Sequence, residues 1–370
     1  MSKAFKIIIS GGGTGGHIFP AIAIANQIKE QYAQAEILFV GALGRMEMEK
    51  VPAAGYPIIG LPVAGLQRRA FFKNLTLPGK VWKSLGHAKK IIKDFQPHVV
   101  VGVGGYASGP ILWVATRNKI PCLIQEQNSY AGVTNKLLAK KVQTVCAAYQ
   151  GMERFFPKEK IRLTGNPVRS SIVPVTGSLK NQGRTFFGIE PERATILIVG
   201  GSLGARALND CVQAFVKENP VESPVDIIWQ CGGYYSAQNE AFMAAHPRPW
   251  IHLHPFIHQM ELAFAAADLV ISRAGAGTIS ELCVAGKAVI FVPSPNVSED
   301  HQMHNAMALV RQNAALVVPE NQVSVFLMNR ALDLINNREQ RALLEANMSK
   351  LARPQATKDI VSEIVKLIEN

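Results

Sequence analysis

Three features of the sequence predict an α/β fold built from two parallel-sheet domains. A length of 370 residues exceeds one ordinary hydrophobic core and asks for roughly two domains of about 150–200 residues each. Short apolar runs at 5–10, 36–40, 98–101, 121–124 and 143–147 alternate with amphipathic stretches such as 21–32 and 85–95, the rhythm of strand and helix in a parallel sheet. The pattern then restarts at Thr195-Ile196-Leu197-Ile198-Val199. Each half therefore opens with a strand, a glycine turn and a helix.

Between the halves, residues 165–183 are rich in Pro, Ser and Gly and read as a loose stretch holding the boundary. We place the domains at 1–168 and 169–353. The last segment puts Ile360, Ile364 and Leu367 on one helical face beside Val361, Val365 and Ile368. It is a surface helix that must dock, and we expect 354–370 to return to the first domain.

Composition bounds the function. Hydrophobic content of 48% with 18% charged residues belongs to a folded globular chain. Neither a signal peptide nor a membrane span is expected, because no basic start precedes a long apolar run and no stretch reaches about 18 apolar residues. Cys122, Cys146, Cys211, Cys231 and Cys283 are scattered without a Cys-x-x-Cys, which fits buried reduced thiols better than zinc or redox chemistry. The net charge of +12 calls for an anionic partner: nucleic acid, anionic lipid or a phosphorylated substrate.

The first strand runs into Gly11-Gly12-Gly13-Thr14-Gly15-Gly16-His17. A glycine turn opening a helix exposes backbone N–H groups at the positive helix end, where phosphate binds. A nicotinamide site would need a carboxylate closing the second strand. That strand ends Phe39-Val40-Gly41, with Glu36 at the wrong end, so the dehydrogenase reading fails. Another glycine turn, Gly102-Val103-Gly104-Gly105-Tyr106, follows the strand at 98–101. Two such turns at the carboxyl ends of strands in one sheet can converge on one phosphorylated ligand. In the second half, Gly200-Gly201-Ser202 follows one strand, and Ala274-Gly275-Ala276-Gly277-Thr278-Ile279-Ser280-Glu281 leads from another into a helix. Glu281 could accept hydrogen bonds from ribose hydroxyls while phosphates lie over the helix start.

Six segments, in order, resemble one family. They read GGGTGGHIFP from Gly11, GGYASGP from Gly104, and Glu126-Gln127-Asn128 ahead of Gly132-Val133-Thr134-Asn135-Lys136. Thr164-Gly165-Asn166-Pro167-Val168-Arg169, Gly200-Gly201-Ser202-x-Gly204-Ala205 and the segment 272–281 complete the set. Together they resemble the MurG family, peripheral N-acetylglucosaminyltransferases of bacterial peptidoglycan synthesis. The resemblance implies a GT-B fold, two Rossmann-like domains facing across a cleft. It implies transfer of N-acetylglucosamine from UDP-N-acetylglucosamine to the 4-hydroxyl of the N-acetylmuramoyl-pentapeptide on undecaprenyl diphosphate, with inversion. It also implies a place on the cytoplasmic face of the bacterial inner membrane.

Roles follow by position, as implications of that resemblance. Thr14, Gly15 and Gly16 match loop residues that contact the donor sugar or approach the acceptor phosphates; Gly12, Gly13, Gly104, Gly105 and Tyr106 belong to the same acceptor loops. Asn128 matches a donor-sugar contact and Arg169 a donor contact of the hinge motif. Ser202 matches a serine on a donor phosphate, and Ile257 a residue whose backbone reads the uracil edge. Ala276, Gly277, Thr278, Ile279, Ser280 and Glu281 match the donor loop and helix start, with Glu281 on the ribose, and Gln302 a reader of sugar hydroxyls. Gln125, Leu203, His301 and Gly277 depart from the family pattern, which bears on fine sugar contacts and leaves the nucleotide site intact.

An inverting transfer needs a base for the acceptor hydroxyl, and His17 is the candidate. The chain has no Asp-x-Asp, so helix N-termini, Ser202 and basic side chains are expected to stabilise the leaving UDP, with no metal or other cofactor. His252 and His254 alternate as a metal pair could, but no third ligand is evident. Residues 64–95 gather Arg68, Arg69, Lys73, Lys80, Lys83, Lys89, Lys90 and Lys93 around Phe71, Phe72, Leu75, Leu77 and Trp82, with Asp94 the only acid. Apolar anchors among cations suit an anionic bilayer surface. Nucleic acid is the rival partner and is not expected, because the aromatics form no RNA-recognition pattern. A UDP-N-acetylglucosamine epimerase is the rival enzyme; the GGYASGP and Glu126-Gln127-Asn128 segments argue against it.

Overall fold

The computed structural model describes residues 5–63, 77–219 and 222–369. The chain divides into two compact units, 1–168 with 354–370, and 169–353.

In the first unit the elements run β1 (Lys6–Ser10), α1 (Gly15–Gln31), β2 (Glu36–Ala42), α2 (Glu47–Ala53), β3 (Ile58–Leu61), α3 (Leu77–Phe95), β4 (Val99–Gly102), α4 (Ser108–Arg117), β5 (Cys122–Glu126), α5 (Val133–Leu138), β6 (Thr144–Ala147) and β7 (Ile161–Leu163). Among the described residues the strands form one sheet in the order β3-β2-β1-β4-β5-β6-β7. All its pairs are parallel, and β1 and β4 pair through Ile7↔Val99 to Ser10↔Gly102. The Ile7-Ile8-Ile9 and Val99-Val100-Val101 runs are fully buried, because helices cover both faces of a parallel sheet. Strand order reverses between β1 and β4, so their carboxyl ends open the crevice where such sheets bind ligands.

The second unit repeats the plan with α6 (Gly177–Phe187), β8 (Thr195–Val199), α7 (Arg206–Glu218), β9 (Asp226–Gln230), α8 (Ser236–Ala245), β10 (Ile251–His254), α9 (Met260–Ala266), β11 (Leu269–Ser272), α10 (Ala276–Ala285), β12 (Val289–Phe291), α11 (His301–Val310), β13 (Leu316–Val317), α12 (Val323–Asn336) and α13 (Arg338–Lys350). Its sheet runs β10-β9-β8-β11-β12-β13, again parallel, with the reversal between β8 and β11. The final helix, α14 (Ala356–Glu369), packs on α1, β4 and β5. It buries Ile360, Val361 and Ile364 in the cluster that holds Ile7, Ile9 and Ile24.

Two local expectations are corrected. The stretch 165–183 is not loose throughout. Helix α6 starts inside it at Gly177, because Thr176 caps the helix by accepting the Leu179 N–H at 3.2 Å. Helix α1 begins at Gly15, earlier than the apolar spacing indicated. Pro20 inside it forfeits only the N–H bond to the Gly16 carbonyl.

All five cysteines are free and buried. Burial pushes the Cys122 and Cys283 thiols up to about 12 and Cys211 to about 11. No helix among the described residues is long and apolar enough to cross a membrane.

Candidate functional site

In the first unit the glycine turns after β1 and β4 lie against each other. A Cβ on Gly105 would come within 2.3 Å of the Gly12 carbonyl oxygen, and one on Gly11 within 2.2 Å of Val103. Gly104 and Gly105 hold positive φ of 94° and 85° and Gly13 one of 87°, a backbone that glycine adopts at no steric cost. Thr14 is the extended N-cap residue of α1, and its carbonyl accepts the His17 and Ile18 N–H groups at 3.1 and 3.2 Å. The first turn of α1 itself carries no acidic residue, so its leading N–H groups and dipole favour an anion.

His17 lies half-buried at this junction. Its Nδ1 is 3.0 Å from the Gly12 carbonyl oxygen and 3.3 Å from Thr14 Oγ1. A carbonyl only accepts, so Nδ1 carries a proton, and in the neutral tautomer that this selects the lone pair is on Nε2. That edge of the ring lies over Gly104, where a Cβ would come within 2.8 Å of Cδ2 and 2.9 Å of Nε2.

Sequence reasoning missed one residue beneath this loop. Glu47 opens α2 and is fully buried. Its Oε2 accepts the Gly13 N–H at 3.0 Å and its Oε1 the Ala42 N–H at 3.0 Å. A Cβ on Gly12 would sit 2.0 Å from Oε1, so the glycine is required by the carboxylate as well as by the turn. The only available signal was an acidic residue a few positions beyond the second strand.

After β5, Glu126 is 2% exposed and organises the next loop. It accepts from Asn128 N at 3.1 Å, Gly132 N at 3.0 Å and Asn135 Nδ2 at 2.8 Å. Burial pushes its carboxyl up, against the pull of these donors. Gln127 donates to the Val103 carbonyl at 2.8 Å and Asn166 donates to the Gln127 carbonyl at 3.0 Å. Gln125 in turn donates to Asn166 at 2.9 Å. Thus Gln125, the departure noted above, is a buried strut, while Asn128 is half-buried and Tyr106 is 47% exposed.

In the second unit β8 and β11 pair through Val199↔Ser272, so the loops carrying Ser202 and Gly275 leave the sheet side by side. Gly201 and Gly204 have positive φ of 89° and 86°, and a Cβ on Gly204 would lie 2.1 Å from the Cys231 carbonyl oxygen. Ser202 is exposed at the tip. Helix α10 begins at Ala276 after an extended Gly275, without an acidic residue in its first turn. Gly277 is exposed, Ala276, Thr278 and Ser280 are half-buried, and Ile279 faces the core.

Glu281, one turn further on, is paired with Arg169. Nε donates to Oε1 at 2.6 Å and Nη2 to Oε2 at 2.7 Å, a bidentate fork. Gln302 Oε1 accepts the Ser294 N–H at 2.9 Å, which leaves its amide N–H groups to donate. The Ile257 N–H is donated to Gln230 Oε1 at 2.9 Å.

Elsewhere, His252 lies 3.9 Å from Asp226, and His254 packs edge-on against Phe187. Among the described residues no three His, Cys, Asp or Glu side chains are grouped as metal ligands. On α3, Trp82 is 80% exposed beside exposed Lys83, Lys89, Lys90 and Lys93, while Ala88, Ile91 and Ile92 enter the core. Arg68, Arg69, Phe71, Phe72, Lys73 and Leu75, and the side chains of Leu77 and Lys80, lie outside the described residues.

Residues 7–147 match the glycosyltransferase family 28 N-terminal domain and residues 195–364 the glycosyltransferase family 28 C-terminal domain. A protein of Phocaeicola vulgatus is 54% identical over 370 residues, covering 100% of this chain and 98% of its own. One of Parabacteroides distasonis is 52% identical over 367 residues, covering 99% of each. Both are named UDP-N-acetylglucosamine–N-acetylmuramyl-(pentapeptide) pyrophosphoryl-undecaprenol N-acetylglucosamine transferase. The crystal structure of Acinetobacter baumannii MurG superposes with a TM-score of 0.80 at 31% identity, over 98% of this chain and 99% of that one.

Proposed function

We propose a route for the reaction from one premise: the chain belongs to glycosyltransferase family 28, within it to the MurG family. It transfers N-acetylglucosamine from UDP-N-acetylglucosamine to the undecaprenyl-pyrophosphoryl N-acetylmuramyl-pentapeptide. The residues that carry the transfer, and the 4-hydroxyl as acceptor with inversion at the anomeric carbon, are our reading.

The second unit takes the donor. The observation that carries this is the pairing of the Ser202 loop with the start of α10 at the strand-order reversal of the sheet. The diphosphate lies over the N–H groups of 276–278, with Ser202 Oγ donating to a phosphate oxygen. Each Glu281 oxygen gives one lone pair to Arg169 and keeps another for a ribose hydroxyl. The Ile257 carbonyl accepts the uracil N–H, and the Gln302 amide donates to a sugar hydroxyl. As the glycosidic bond breaks, negative charge gathers on the departing diphosphate, and these fixed dipoles stabilise it without reorganising.

The first unit takes the acceptor. The N–H groups of Gly15 and Gly16 and the turn at Gly104-Gly105-Tyr106 receive its diphosphate, with the Gly12-Gly13 turn shaping the loop while its Gly13 N–H is held by Glu47, and Thr14 and Asn128 contact the transferred sugar. His17 Nε2 takes the proton of the 4-hydroxyl as that oxygen bonds to the anomeric carbon and UDP leaves from the opposite side. One displacement inverts the centre.

The chain works as a peripheral protein on the cytoplasmic face of the inner membrane. Exposed Trp82 together with the exposed Lys83, Lys89, Lys90 and Lys93 of the same helix supports docking on an anionic surface. The test measures UDP release from UDP-N-acetylglucosamine with and without the muramoyl lipid, each with and without EDTA. Acceptor-dependent, EDTA-insensitive release is expected. Acceptor-independent turnover would instead indicate an epimerase or hydrolase, and EDTA inhibition would defeat the metal-free route.

A further inference from the structure

Away from the donor loops, the second unit contains a cavity of about 460 Å³. Thr176 and Gly177 at the start of α6, Lys287 just past α10, and Arg338 and Arg341 of α13 are among the residues that line it. Lys287 is 6% exposed, and its amine has no hydrogen-bond or ion-pair partner among the described residues. The amine is not closed off from solvent, so a side chain otherwise buried opens its charged end onto the cavity it lines, where an anion could meet it.

The charges around it point to an anion. Four cations, Lys180, Lys287, Arg338 and Arg341, line the cavity against two carboxylates, Asp268 and Glu345. Asp268 and Lys180 are paired with each other at 2.6 Å, with Arg184 also on Asp268 at 2.9 Å, which leaves Lys287, Arg338 and Arg341 facing Glu345 among the lining residues. Arg341 donates to the Leu334 and Ile335 carbonyls, so no carboxylate neutralises it, and Arg338 is exposed at the mouth. Thr176 takes the Leu179 N–H, and the earlier N–H groups of α6, at Gly177 and Ser178, lack intrahelical acceptors and add a positive helix end. Burial holds the Lys287 amine down to about 8; Glu345 and Asp268 pull it up, and Lys180 and Arg184 press it down.

We propose that this cavity is a second ligand site, taking a small phosphate dianion, free or as a compact monoester, with Lys287 and Arg338 as its charged contacts. It is separate from the donor site and holds the ligand by charge and by the start of α6, as helix ends hold phosphate elsewhere. The dianion restores the charge that burial costs Lys287, so binding takes up a proton where that amine is partly neutral.

Calorimetric titration of the full chain tests this, with UDP saturating the donor site, inorganic phosphate as titrant and two buffers of different ionisation enthalpy at about pH 9. One additional phosphate site with proton uptake is expected. Lys287→Met should weaken it by about tenfold or more and abolish the uptake, and Arg338→Gln by about threefold, while both bind UDP as before. Absence of phosphate binding in the presence of UDP, or unchanged phosphate affinity in the variants, overturns the proposal. If Lys287→Met does not fold, Arg338→Gln at its exposed position decides alone. Glucose 1-phosphate as second titrant separates the sources: tighter binding than inorganic phosphate assigns a monoester, equal binding the free ion.

Discussion

Arg169 and Glu281, 112 residues apart, meet in a two-point fork of 2.6 and 2.7 Å. The two carboxylate oxygens keep one lone pair each, oriented by the guanidinium. The Glu281 side chain is 14% exposed and that of Arg169 47%, so the pair is solvated on the arginine side and its worth lies in aim more than in stability.

Removing the carboxylate therefore costs donor affinity directly. Glu281→Ala loses charge-assisted acceptors worth about 1.5–3 kcal/mol, so UDP affinity should fall by roughly tenfold to a hundredfold. Arg169→Ala loses only the aim, and should weaken UDP less. The double variant should match Glu281→Ala, since the arginine acts through that carboxylate. Calorimetry with UDP on the three variants checks this, and additive losses would give Arg169 an independent contact.

His17→Ala removes the proton acceptor. Turnover should fall by about a hundredfold or more, the range of general-base loss, with UDP affinity unchanged because the donor groups belong to the other unit. The acid limb of the kcat/KM profile should vanish with it, since a protonated imidazole cannot accept. Turnover at the native level would reassign the base.

Glu47→Gln tests the strut under the acceptor loop. Both carboxylate oxygens accept backbone N–H groups, and an amide can satisfy one while its NH2 faces the other donor. One buried N–H is then left unpaired, at about 1–3 kcal/mol. A lower melting temperature and reduced kcat are expected, with UDP affinity intact. Normal kcat at full stability would show that the loop holds itself.

How much of this was legible in the sequence follows the range of the interactions. The glycine turns and strands were readable because apolar runs and glycines are local signals. Thr195 to Val199, for instance, was read as a strand and is β8. The start of α1 was hidden because its first turn is Gly15-Gly16, poor helix formers that carry no apolar periodicity. Glu47 was invisible because its partners are backbone groups of Gly13 and Ala42, which leave no side-chain pattern. Arg169 and Glu281 were each singled out, but their pairing is a tertiary fact that spacing does not encode.

The exposed ring and lysines of α3 predict salt-dependent vesicle binding. Each cation near an anionic surface contributes on the order of 1 kcal/mol, so reversing Lys83, Lys89, Lys90 and Lys93 to Glu should abolish binding to phosphatidylglycerol vesicles at moderate salt. Trp82→Ala should weaken it at every salt concentration, since the ring contributes burial and not charge. Sedimentation with vesicles measures both. Tighter binding to RNA than to vesicles would revive the nucleic-acid reading.

Asp268 sets an acid limit on the second unit. Burial raises its carboxyl, but Lys180, the Thr195 N–H and Arg184 outweigh burial and hold it below the ordinary 3.8. A carboxyl lowered in the native state contributes stability that is fully present above the unfolded value and is lost as pH falls through the native one. The contribution is therefore complete at neutral pH and disappears only in strong acid. Asp268→Asn strands Arg184, whose side chain is 6% exposed, and breaking a buried pair costs about 3–5 kcal/mol. Lys180, 37% exposed, is rehydrated and adds little. The variant should be markedly less stable than the native chain at pH 7. The gap should close as the native aspartate protonates, because a neutral acid and an amide then present the same uncharged partner to Arg184. Denaturant unfolding of both chains across the acid range follows the difference, and a gap that stays constant with pH would mean Asp268 acts by packing and not by charge.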